Sequence, residues 1–130
     1  MTYTIEQRTT PPAIIATWHD DFDFMRDART YSADVRELLN AQESPVYYIM
    51  NIGTWQNMSF NELLEATSIA AGSKDANFHN PNNIATLIIT NDRAVAISAD
   101  GLKSDSFGNA NVLVFSTLDD ALAFAQQEAA

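Results

Sequence analysis

Ser59 carries the most versatile chemistry in the chain. It stands three positions before Glu62, the spacing of a capping box, in which the hydroxyl accepts from the N3 amide and the carboxylate reaches back to the N-cap. A hydroxyl at a helix start would also set a phosphate on free backbone N–H groups. Ser59 is therefore read first as a cap and second as a candidate phosphoacceptor. Trp55, Met58 and Phe60 are expected to surround the end of the central strand with large apolar side chains. They can line a pocket, present a patch to a partner, or seal the core beneath.

The densest polar cluster is His19, Asp20, Asp21 and Asp23. Its oxygens suit a hard cation and its imidazole a transition metal. The spacing matches neither an EF-hand loop nor a His-x-x-x-His pair, so the cluster reads as an acidic cap on a solvated turn. His79 has no acid within three positions, the nearest being Asp75, and a catalytic histidine needs an orienting partner. Gly101 and Gly108 bracket Leu102 to Phe107 without the Gly-x-x-x-x-Gly-Lys pattern of a phosphate loop. Neither a Gly-x-Ser-x-Gly elbow nor a Gly-x-Gly-x-x-Gly fingerprint occurs. The sequence assigns no catalytic residue, no cofactor and no metal ligand.

The elements that position these residues follow from hydrophobic periodicity. Residues 2–8 alternate as a strand, with Tyr3 and Ile5 on one face. Thr9-Thr10-Pro11-Pro12 breaks it, and residues 13–18 form a second strand, close enough to pair as an antiparallel hairpin. A long helix is predicted over residues 24–41, with Met25, Ala28, Val35, Leu38 and Leu39 on its inward stripe and Tyr31 or Ser32 filling the step between. Asp20, Asp21 and Asp23 lie where they favour its dipole. Residues 46–52 are almost continuously apolar, as a central strand covered on both faces requires. A capped helix is predicted over residues 59–71, stopped by Gly72. Asn80-Pro81 marks a turn before a buried strand at 84–90. Asn91 or Asp92 caps a helix to about Leu102. A short strand at 112–115 leads to a last helix from Thr117, with Leu118, Ala121, Leu122 and Ala125 facing in.

That order, β-β-α-β-α-β-α-β-α, predicts one α/β domain spanning residues 1–130. Its five-stranded sheet is mostly parallel, with one antiparallel N-terminal strand. At 130 residues and 46% hydrophobic content, a chain of this size buries enough surface to fold without a metal or disulfide. Cysteine is absent, which excludes thiol chemistry and leans toward a reducing, cytoplasmic setting. No leader pattern or membrane-length apolar run is read in the sequence. The net charge of −10 repels phosphate backbones and argues against nucleic acid. It otherwise serves solubility, a basic partner or a bound cation.

The element order resembles that of the STAS and SpoIIAA-like domains. The stretch Asn111-Val112-Leu113-Val114-Phe115-Ser116-Thr117-Leu118-Asp119-Asp120-Ala121-Leu122 is similar to their ending, a Val-Phe strand end, an acidic turn and an Ala-Leu helix start. Anti-sigma antagonists of that group carry a phosphorylatable serine in an Asp-Ser-Ser-Gly turn after the central strand. The matching region here is residues 51–61, in which Ser59 lies near that position and the motif itself is absent. The chain therefore looks closer to SpoIIAA-like members without the switch. The resemblance implies a non-enzymatic regulatory or binding module. Its expected partner or ligand surface is Trp55, Met58, Ser59, Phe60, Asn91 and Asp92, at the carboxyl ends of the parallel strands. The partner would be a protein or a small apolar ligand. The alternative is a small-ligand carrier or enzyme with an apolar pocket at the same place.

Overall fold

The computed structural model describes residues 2–52, 77, 80–91, 93, 96 and 111–129. The expected helix at 59–71 and most of the one starting at Asn91 or Asp92 lie outside these residues. Arg93 and Ala96 of the latter are helical.

Five strands form one sheet in the order β1-β2-β3-β4-β5. They are β1 (Tyr3–Thr9), β2 (Pro12–Trp18), β3 (Val46–Asn51), β4 (Asn83–Ile89) and β5 (Val112–Phe115). β1 runs antiparallel to β2, joined through a turn whose Thr10–Pro11 peptide is cis. The pairs β2–β3, β3–β4 and β4–β5 are all parallel. This is the mixed α/β sheet that the alternation predicts. The apolar run at 46–52 becomes the central strand, and Val46 to Met50 are buried. A strand with sheet neighbours on both sides and cover on both faces favours apolar side chains throughout.

Two described helices cover opposite faces. The first, α1 (Phe24–Asn40), lies over a core that includes Ile14, Trp18, Tyr31, Val35, Leu39, Tyr48, Met50, Ile88 and Val112. Tyr31 is buried and Ser32 exposed, so Tyr31 completes the inward stripe. The second, α2 (Leu118–Ala129), lies against Ile15, Tyr47, Ile49, Leu87 and Ile89. Its contact positions Ala121 and Ala125 are fully buried. Alanine there has no side-chain bulk or rotamer cost, so the helix backbone approaches the sheet closely. Leu118, Leu122 and Phe124 pack at the margins, and Phe124 meets Tyr47 edge-on at 6.3 Å.

Asparagines tie the amino ends of the strands. Asn82 donates from Nδ2 to the Leu39 carbonyl at 2.8 Å, and its own carbonyl accepts from Val46 N at 2.8 Å. Asn83 Nδ2 donates to the Asn77 carbonyl and to Thr86 Oγ1. Asn80 closes the turn over Pro81, accepting from Asn82 N at 2.9 Å and donating to Asn40 Oδ1 at 3.0 Å. Asn111 Nδ2 reaches the Ile84 carbonyl at 2.9 Å. Each supplies the donor that a carbonyl at a strand or helix end would otherwise take from water.

Candidate functional site

Because β2 to β5 are parallel, their carboxyl ends lie along one edge of the sheet. The β2 end delivers His19 and the acidic run. His19 is half-buried and its backbone N–H meets the Thr2 carbonyl at 2.9 Å. Phe22 folds inward while its backbone N–H bonds the His19 carbonyl at 3.0 Å. Asp23 is the N-cap of α1, with Oδ1 accepting from Arg26 N at 3.1 Å. Asp27 reaches back with Oδ2 to the Asp23 backbone N–H at 2.9 Å. The Arg26 guanidinium completes the clasp, with Nη2 at 2.9 Å from Asp27 Oδ2 and 3.0 Å from the Asp21 carbonyl. The hydrogen bond from Arg26, followed by the Asp23 amide, holds the Asp27 carboxyl well below the usual range. The acidic cap read in the sequence is thus borne out at Asp23. The sequence reading missed its second half, Arg26 and Asp27. Among the described residues no three His, Asp or Glu side chains gather as metal ligands.

The ends of β3, β4 and β5 continue the edge. The register sets Asn51 beside Ile89 and Ile89 beside Phe115. The next row runs through Ile52, whose N–H bonds the Ile89 carbonyl, and Thr90, whose N–H bonds the Phe115 carbonyl. Asn51 is half-buried and Thr90 buried, while Asn91, Ser116 and Thr117 are exposed. Thr117 Oγ1 accepts from Asp120 N at 3.1 Å and starts α2. Three strand ends therefore place amides and hydroxyls over about 10 Å. Asp119 and Asp120 fill the first turn of α2, as Asp27 does in α1. These carboxylates balance both helix dipoles and make this edge inhospitable to phosphate.

Beneath the β2 end lies an aromatic cluster that the sequence reading did not assemble. Trp18 stacks on Phe22 with centroids 4.2 Å apart. The Tyr31 ring meets Trp18, Phe22 and Tyr3 edge-on at 5.4, 5.8 and 5.3 Å, the geometry favoured by ring quadrupoles. The Tyr31 and Tyr48 hydroxyls hydrogen-bond to each other inside the core. Burial raises both phenols well above their ordinary value. Hydrogen bonds from Tyr48 and Trp18 partly offset it at Tyr31. Tyr3 donates to Asp34 Oδ2 at 2.5 Å. Its phenol is pushed up to about 12, first by burial and then by that bond and the carboxylate charge. The signal was present in outline, since Tyr31 lies on the inward stripe of α1 and Tyr48 on the central strand.

Of the predicted surface, Asn91 sits exposed at the β4 end. Trp55, Met58, Ser59, Phe60 and Asp92 lie outside the described residues, as does His79. Compared with protein-family models, with curated proteins and with solved structures, the chain finds no match.

Proposed function

We propose that this chain is a regulatory or binding module of the SpoIIAA-like kind, recognising its partner at the carboxyl edge of the sheet. One observation carries the reading. Four parallel strands end on a single edge, where Asn91, Ser116 and Thr117 are exposed. In open α/β sheets that edge is where ligands gather. Its amides and hydroxyls suit recognition by hydrogen bonding. The acids at both helix starts favour a partner with a basic rim over an anionic one. In this reading Trp55, Met58 and Phe60 supply the apolar centre, Ser59 and Asp92 its polar border, and the setting is cytoplasmic. Tryptophan is enriched among residues that dominate binding energy.

Trp55→Ala tests the reading with two measurements on the same preparation. Capture of a partner from the native cell, followed by mass spectrometry, should fall while the thermal unfolding midpoint stays unchanged. A large fall in the midpoint, with capture intact in the folded fraction, would assign Trp55 to the core and defeat the proposal. A small apolar molecule copurifying with the native protein and lost in Trp55→Ala would make the site a ligand pocket instead.

A further inference from the structure

We infer that β1 is a self-pairing edge, through which two copies of this chain join their sheets antiparallel about a two-fold axis at Gln7. β1 is an outermost strand of the sheet, with β2 on its inner side. Its pairing to β2 fixes which backbone groups face outward. His19 N donates to the Thr2 carbonyl, and the register continues Thr4↔Thr17, Glu6↔Ile15 and Arg8↔Ala13. In an antiparallel ladder such pairs alternate between hydrogen-bonded and non-hydrogen-bonded. The even residues therefore bond to β2, and Ile5, Gln7 and Thr9 turn their N–H and C=O groups to the side of β1 on which no other described strand lies. Pro12 opposite Thr9 agrees, since proline has no N–H to give.

The edge also lacks most of the usual guards. Natural edge strands are kept short, bulged, or marked with proline or with charges, lysine above all. Of these β1 carries only the opposite-sign pair Glu6 and Arg8. It has seven residues, contains neither lysine nor proline, and pairs without a register break. β5, at the opposite end of the strand order, has only four.

Charge selects the register. Glu6 and Arg8 lie on the face away from α1, since Tyr3 and Ile5 pack toward the α1 core. They are exposed and pair with each other within the strand at 3.3 Å. A two-fold axis at Gln7 sets Glu6 of each copy opposite Arg8 of the other, at non-hydrogen-bonded positions where side chains approach most closely. Gln7 then meets Gln7, and Ile5 meets Thr9, through the outward backbone groups. An axis at Glu6 would oppose two carboxylates, and one at Arg8 two guanidinium groups. An axis at Ile5 would leave the charges facing Thr2 and Thr4. Only the Gln7 register is self-complementary, and a strand slip is costly where charges face each other.

Sedimentation equilibrium of the full chain over a wide concentration range tests the proposal. The wild type should show a reversible monomer–dimer equilibrium. Arg8→Glu places four carboxylates at the junction and should weaken association about tenfold or more. The double exchange Glu6→Arg/Arg8→Glu restores opposite charges and should restore association. Amide exchange adds a local readout, with Ile5, Gln7 and Thr9 N–H groups becoming protected as the dimer fills. A wild type that stays monomeric throughout overturns the inference. So does a dimer indifferent to Arg8→Glu, or one that the double exchange fails to recover. These readouts do not involve Trp55, so this inference and the proposed function fail separately.

Discussion

Tyr31 and Tyr48 show how much of this core depends on single atoms. A phenol buried without a partner loses its hydration and gains nothing in return, which costs about 1–3 kcal/mol. Here the two hydroxyls bond each other, and Tyr31 has Trp18 as a second partner. Tyr31→Phe strands the Tyr48 hydroxyl and should destabilise the fold by about that amount in urea titrations, and Tyr48→Phe by less. The double variant should lose less than the sum of the two, because no phenol is then stranded. Strict additivity would mean the hydroxyls do not depend on each other. Asn83 and Asn77 carry a related tension, since each donates through Nδ2 while its Oδ1 is buried and has no hydrogen-bond partner among the described residues. Their orientation follows from the carbonyls that need a donor.

At the scale of elements, the acidic entry to α1 is the clearest case of local sequence making local structure. Asp23→Ala removes the acceptor for Arg26 N and should cost about 1 kcal/mol, measured as a shift of the urea midpoint. Asp23→Asn should cost less, because asparagine caps as well. An unchanged midpoint in Asp23→Ala would show that the Arg26–Asp27 clasp holds the helix start alone. Such elements were legible because their signals are local. The apolar run at 46–52, the alternation around Ile5 and the Val112–Phe115 strand matched the structure to within a residue or so. Periodicity left the step between Ala28 and Val35 open to Tyr31 or Ser32, since the stripe drifts between those positions. Packing against Trp18 and Tyr48 from the sheet decides for Tyr31. The asparagine ties were not legible for the same reason. Asn82 reaches Leu39, and Asn77 reaches Ser32, across long stretches of chain. Of the candidate surface, the sequence supplied residue types, and only Asn91 can be set against a described strand end.

The whole molecule carries its tyrosines in one direction of proton affinity. The sequence has four, and Tyr3, Tyr31, Tyr47 and Tyr48 are all raised, each first by burial. Above about pH 10 the unfolded chain releases phenolic protons that the folded chain keeps. Their contribution to stability is complete below that pH and is lost as pH rises toward about 12, where Tyr3 ionises in the folded state. Phenolate absorbance should therefore stay low past pH 10 and then appear together with loss of the helical circular dichroism signal. Tyrosines titrating near pH 10 in a chain that stays folded would contradict this arrangement.

The strand order, identical to the order along the chain, bears on how the sheet is assembled during synthesis. The chain leaves a ribosome amino end first. β1 and β2 can close as a hairpin, and each later strand then joins beside the one made just before it. No strand has to be threaded between two that are already paired. Sheets that place late strands between early ones expose their middle until the end of translation, whereas this one always grows at its newest edge.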